Sequence, residues 1–172
     1  MGDVSRSRWH LIAGSTGAGK TTYARRLADE TRGVVFSIDE WMTTLFWPDC
    51  PRKDDLPWAL ERIRRCEEQA ASVAGQLPQR NISAIFDMGL TTRALRERWI
   101  GRAQAAGVPV VLHVLDLPPA VRLQRVESRN AAQSGTFAFH VTREMFDLVE
   151  TMWQVPGADE CAKYAEVFWR QS

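Results

Sequence analysis

The chain has 172 residues, 45% of them apolar, which is the size of one ordinary domain with a real core. Its 22 basic residues against 21 acidic ones leave a formal charge of +1, so no strong field draws in nucleic acid or anionic membrane. Residues 1–8 are polar, the apolar run at 9–13 is too short for a leader, and no stretch approaches the roughly 18 apolar residues of a membrane span. A cytoplasmic protein with no membrane partner is therefore expected. Cys50, Cys66 and Cys161 are odd in number and lack metal-ligand spacing, which fits idle thiols in a reducing compartment. Arg outnumbers Lys by 19 to 3, a skew that suits bidentate phosphate contacts and that genome composition produces equally well.

Short apolar runs alternate with longer amphipathic segments. Residues 9–13 read as a strand, followed by a Gly-rich turn and a helix over about 19–30. Residues 34–38, β-branched and aromatic, read as a second strand. An irregular stretch with Pro48, Pro51 and Pro57 follows, and Pro57 opens a helix to about residue 77. Residues 82–86 form a third strand, 91–106 a helix stopped by Gly107, and 108–115 a fourth strand, apolar except for His113. Pro118 opens a helix to about residue 130. Residues 131–139 read as a mobile loop, 142–153 as a helix capped by Thr142, and 165–169 as a short fifth strand. Strands alternating with helices imply an α/β fold whose parallel sheet is covered on both faces. Such sheets bind ligands at the carboxyl ends of their strands, where Gly14, Asp39, Asp87 and Asp116 all fall.

The sequence Gly14-Ser15-Thr16-Gly17-Ala18-Gly19-Lys20-Thr21 matches the Walker A pattern G-x-x-x-x-G-K-[ST] in full. Glycines let backbone N–H groups curl around phosphate oxygens, and the following helix presents its positive dipole end. Lys20 supplies a point charge to the β- and γ-phosphates, and the Thr21 hydroxyl is placed to ligate Mg²⁺. With Thr22 next on the helix, residues 14–22 are the expected ATP contacts.

Residues 34–40, Val-Val-Phe-Ser-Ile-Asp-Glu, resemble a Walker B run, but they follow Thr21 by only 18 residues. An acid on this early strand suits a small kinase, with Asp39 facing the acceptor hydroxyl as general base. Glu40 has the simpler reading of a solvated neighbour. Asp87, ending the third strand, is expected to hold Mg²⁺ through water or to touch the acceptor; capping the next helix is its alternative, and Thr91 or Thr92 is the better cap. Trp41, Phe46, Trp47 and Trp58 form an aromatic group beside the base, with Trp41 the expected substrate contact; covering the core is the competing role. Arg122, Arg125 and Arg129 share roughly one helix face and repel one another unless an anion sits among them. Arg125 and Arg129, ahead of Arg122, are expected to neutralise charge on the transferred phosphoryl group. Arg93, Arg96 and Arg98 read as a solvated face, and His140, near the loop, reads as structural.

Together, the loop at 14–21, the Asp39 and Asp87 strand ends and Leu117-Pro118…Arg125…Arg129-Asn130 resemble the P-loop kinase-like ATPases, a group that includes zeta toxins, chloramphenicol phosphotransferase and the 5′-kinase of phage polynucleotide kinase. The resemblance covers nearly the whole chain and is closest to the bacterial predicted-kinase branch. It implies a single domain over residues 1–172: an adenylate-kinase-like P-loop NTPase sandwich with a five-stranded parallel sheet and an arginine lid at about 118–141. It implies Asp39 as the base and Arg125 or Arg129 as the lid arginine. Polynucleotide kinases carry an Arg three residues after that Asp, where this chain has Met42, which counts against a polynucleotide acceptor. The expected function is transfer of the γ-phosphoryl of Mg-ATP to a hydroxyl of a small molecule. The alternatives are a nucleic-acid or nucleotide 5′-hydroxyl kinase and an ATPase switch without an acceptor. No Asn-Lys-x-Asp occurs, so a GTPase switch is not expected.

Overall fold

A computed structural model describes residues 7–52, 55–132 and 140–170. Five parallel strands form one sheet in the order β2-β3-β1-β4-β5. They are β1 (Trp9–Ala13), β2 (Val34–Ser37), β3 (Ala84–Asp87), β4 (Val110–Leu115) and β5 (Glu166–Arg170). Between them run α1 (Lys20–Thr31), α2 (Ile38–Trp41), α3 (Leu56–Ala74), α4 (Arg93–Ala105), α5 (Pro119–Ala132), α6 (Arg143–Met152) and α7 (Ala158–Cys161).

The interior strands β1, β3 and β4 are buried along their whole length, so their apolar runs are continuous. Alternate side chains serve opposite faces. Trp9, Leu11 and Ala13 join Phe86, Trp99 and Ala70 in one core, while Ile12 joins Ile85, Ala24 and Leu27 in another. The first core is aromatic at its centre: the ring of Phe86 lies 5.0 Å from Trp9 and 4.5 Å from Trp99. These contacts fix the β1–β3 pair, whose carboxyl ends carry the phosphate loop and Asp87.

Several helices begin at a capping side chain. Asp55 accepts from the Trp58 N–H, Thr92 from Leu95 and Thr142 from Met145. Several boundaries differ from the sequence reading. Ile38 opens α2 instead of ending β2, because Ser37 accepts from the Glu40 N–H and turns the chain. The stretch read as irregular continues α2 through a wide π-helical turn (Met42–Phe46) and a 3₁₀ turn (Trp47–Asp49). Pro48 is tolerated at the start of that turn, where a missing N–H leaves no helical bond unmade. Ala131 and Ala132 finish α5; the rest of the expected loop, residues 133–139, lies outside the described residues, as does most of the non-helical part of the expected lid. The short helix α7 went unread. Among the described residues no helix is long and apolar enough to cross a membrane.

Candidate active site

The loop between β1 and α1 folds around two left-handed glycines, Gly17 at φ 79° and Gly19 at φ 87°. Their surroundings differ. A Cβ on Gly17 would stand 2.5 Å from the Arg122 carbonyl oxygen, whereas one on Gly19 would meet nothing among the described residues nearer than Arg125 Nη1 at 3.9 Å. Gly17 lets the loop pack on α5; Gly19 leaves the loop open to whatever approaches it. Among the described residues no side chain caps the first turn of α1, which leaves its N–H groups for a ligand. Lys20 bends back over the loop, its Nζ donating to the Ser15 carbonyl at 3.0 Å. Burial lowers the pKa of Lys20, with Asp87 and Asp39 pulling it back up.

Two acids flank this ammonium. Asp87 ends β3, the strand bonded directly to β1, and lines the same cavity as Thr21. Burial pushes the Asp87 carboxyl above the usual range, with the Thr21 hydroxyl and Lys20 opposing. Asp39 lies one strand further out, in the first turn of α2. Water reaches it from the adjoining cavity, yet the surrounding protein is dense enough that burial raises its carboxyl as well, against the pull of Lys20 and Arg129. Glu40 is paired with Arg25 at 2.6 Å.

The arginines of α5 divide into two kinds. Arg122 is buried: Nη1 and Nη2 each lie 2.6 Å from the Glu150 carboxylate, Nε donates to Leu117 O at 2.8 Å and Nη1 to Thr16 O at 3.1 Å. Glu150 also accepts from the Ser15 hydroxyl, so α6 is tied to the phosphate loop from behind. The anion expected among the three arginines is thus, for Arg122, a carboxylate of the protein, and the bond to Arg122 holds Glu150 below the usual range. Arg125 and Arg129 point elsewhere. Both line a cavity of ≈ 440 Å³ beside Gly17 and Gly19, together with Tyr23, Arg26 and Arg170. Arg129 also reaches a second cavity of ≈ 700 Å³, and its buried Nε has no partner among the described residues.

The larger cavity brings Thr16, Lys20, Thr21, Asp39, Asp87 and Arg129 together around one space. Trp41, expected against the substrate, does not line it: its ring packs edge-on to Phe36 at 6.0 Å and joins the core. The aromatic group packs against the core: the helical turns 38–49 carry Trp41, Phe46 and Trp47, α3 carries Trp58, and Trp47 and Trp58 lie 5.8 Å apart against the cluster of buried Met42. His140 is exposed and lines neither cavity. Arg96, read as part of a solvated face, is fully buried and paired bidentately with Glu160 at 2.6 and 2.9 Å, while Nη1 donates to the Leu90 and Thr91 carbonyls. That pair braces the segment just beyond Asp87. A second buried chain links His10 Nδ1 to His113 Nε2 at 3.0 Å and His113 Nδ1 to the Tyr23 hydroxyl at 2.8 Å. Burial lowers the two imidazoles to about 4 and about 3, so both rings are neutral.

Neither Glu150 nor Glu160 carried a sequence signal, since each meets its arginine across 28 and 64 residues. The histidines did: each interrupts an otherwise apolar strand, and a polar residue there must find a partner.

An all-parallel five-stranded sheet with a Walker A loop leaving its central strand defines a P-loop NTPase fold of the kinase-like kind. A family profile described as an AAA domain matches residues 10–153, and the chain belongs to that family. Solved structures with the same fold include Kti12 of Chaetomium thermophilum in complex with ADP-AlF3, at a TM-score of 0.70 and 12% identity over 95% of this chain and 88% of that one. A sugar kinase from a Janibacter species gives 0.62 and 20% over 96% and 85%. The APS kinase of Mycobacterium tuberculosis, in complex with AMPPNP and APS, gives 0.60 and 16% over 97% and 90%. None of the curated proteins matches the chain.

Proposed function

We propose that the chain is an ATP-dependent phosphotransferase that moves the γ-phosphoryl group to a hydroxyl of a small molecule. The observation that carries this reading is the single cavity onto which Lys20, Thr21, Asp39, Asp87 and Arg129 converge. The triphosphate enters along the open side of Gly19, its oxygens taking the N–H groups of residues 15–22 and the Lys20 ammonium. The acceptor oxygen attacks the γ-phosphorus, the bond to the β,γ-bridging oxygen breaks, and ADP leaves with that oxygen. Asp39 takes the acceptor's proton as the new bond forms. Arg129, whose Nε has no partner among the described residues, and Arg125 meet the charge on the transferred group. The base and ribose fit the smaller cavity beside Tyr23 and Arg125. Arg122 is a positioning residue that holds the loop through Thr16 and Glu150.

The residues also fit Mg²⁺. Among the described residues no three acidic, His or Cys side chains form a cage, and Mg²⁺ does not need one. Such an ion takes one or two protein oxygens besides phosphates and water, and here the Thr21 hydroxyl and the Asp87 carboxylate would supply them. When bound it neutralises phosphate charge.

The experiment is incubation with Mg-ATP and panels of metabolites, antibiotics and 5′-hydroxyl oligonucleotides, following phosphate transfer by mass. A phosphorylated small hydroxyl compound supports the reading. A labelled oligonucleotide would move the assignment to a nucleic-acid end kinase. ATP loss without any phosphorylated acceptor would make the chain an ATPase switch.

A further inference from the structure

We infer that the acceptor is an uncharged or cationic alcohol with an apolar body, seated between α3 and α6; this rests on the phosphotransferase reading above. The larger cavity has two unlike halves. Lys20, Thr21 and Arg129 gather at the phosphate end. Beyond Asp39, one wall is polar and net acidic: Asp39 and Glu40 with the hydroxyls of Thr43 and Thr44. Arg25 is the one cation on that wall among the described residues, and Glu40 already holds it at 2.6 Å. The Thr43 hydroxyl is likewise spent, on the Asp39 carbonyl at 2.8 Å. An anionic acceptor would therefore lose its water there, face the Asp39 carboxylate beside the already neutralised Arg25–Glu40 pair, and find no free described cation beyond the phosphate end.

The rest of the lining on this side of the phosphate end is apolar. Leu56 and Ile63 come from α3, Met145, Leu148 and Val149 from α6. Leu56 and Leu148 stand 63% and 61% exposed, large side chains held in water on two separate helices that border one space. A soluble surface gains nothing from that arrangement unless something apolar lies between them. A hydroxyl at Asp39, a hydrocarbon or ring against Leu56 and Leu148, and an optional amine toward Glu40 satisfy both walls. Met42 is 2% exposed within a core cluster and presents no group to a sugar-phosphate backbone.

The test is calorimetric binding to the full chain loaded with Mg²⁺ and a non-hydrolysable ATP analogue. The probes are phenylalaninol (cationic, apolar), phenylpropanol (neutral, apolar), gluconate (anionic, polar) and a 3′-nucleotide with a free 5′-hydroxyl. The two aromatic alcohols should bind at least ~10-fold more tightly than the two anions. Leu148→Asp, at an exposed position that the fold tolerates, should weaken both aromatic alcohols ~10-fold or more while the analogue's affinity stays within ~2-fold. Glu40→Gln should weaken phenylalaninol ~3-fold or more and leave phenylpropanol unchanged. Tighter binding of either anion, indifference to Leu148→Asp, or no binding by any probe would overturn the inference. Selective binding of the aromatic alcohols without phosphoryl transfer from ATP would leave this inference standing and remove the phosphotransferase reading instead.

Discussion

Gly17 and Gly19 differ by two positions in sequence and make opposite contributions, which a pair of alanine substitutions separates. Both residues sit at positive φ, so each alanine incurs about 1–2 kcal/mol for a left-handed conformation, offset by about 0.4–1 kcal/mol from a less flexible unfolded chain. Gly19→Ala stops there, because its methyl meets nothing among the described residues closer than 3.9 Å. The net cost is about 1 kcal/mol, or about 2–4 °C in Tm for a chain this long. Gly17→Ala adds a 2.5 Å encounter with the Arg122 carbonyl, a backbone atom that can move only by shifting α5. Overpacking of this kind costs a further 1–3 kcal/mol or so, for a total of about 2–4 kcal/mol. Urea denaturation of both variants reads these costs, and nucleotide titration reads the converse. The Gly19 methyl projects toward both cavities and should cut ATP affinity ~10-fold or more despite its mild effect on folding. Equal stability losses, or a Gly19 variant that binds ATP normally, would refute the division between a packing glycine and an approach glycine.

Asp39→Asn should leave ATP affinity nearly intact and lower turnover by roughly 10²-fold or more, measured with any acceptor the panel yields. Because burial raises the Asp39 carboxyl, the acid limb of kcat/KM in the wild type should lie above the ordinary aspartate range, and the limb should vanish in the variant. Glu160→Ala strands the buried Arg96 guanidinium and should destabilise the fold by about 3–5 kcal/mol, read by chemical denaturation; a loss under about 1 kcal/mol would show that the pair is not isolated from water. His10 and His113 have lowered values in the folded state, so the stability they contribute is complete above about pH 6.5 and is lost as the pH falls toward about 4 and then about 3. His10 alone accounts for on the order of 3 kcal/mol. His10→Phe should flatten the fall in stability between about pH 7 and 4, and superimposable profiles would contradict the neutral-ring assignment.

Much of this arrangement is legible in the residues because short-range rules write it. The Walker A run announces its own loop, Thr142 its helix start, and the buried strands their apolar continuity. The five strands lie where period and composition put them, to within two residues at each end. What escaped was set by distance. Trp41 reads as a ligand contact from its place beside Asp39, yet the turn initiated by Ser37 rotates it onto Phe36. Arg96 sits among charged neighbours, and only the return of the chain at Glu160 explains its burial. Arg122 shares a helix face with Arg125 and Arg129, but the partner that separates it from them, Glu150, belongs to another helix. Spacing along one element predicts what shares a face, not what comes to cover it.

Titration of Mg-ATP into the wild-type chain and into Lys20→Ala bears most directly on the phosphate loop as a nucleotide cradle. One nucleotide should bind per wild-type chain, and removal of the ammonium over Ser15 should weaken affinity by ~100-fold or more. A wild-type chain that takes up no nucleotide, or a Lys20→Ala variant that binds it as tightly, would show that the loop is no nucleotide cradle.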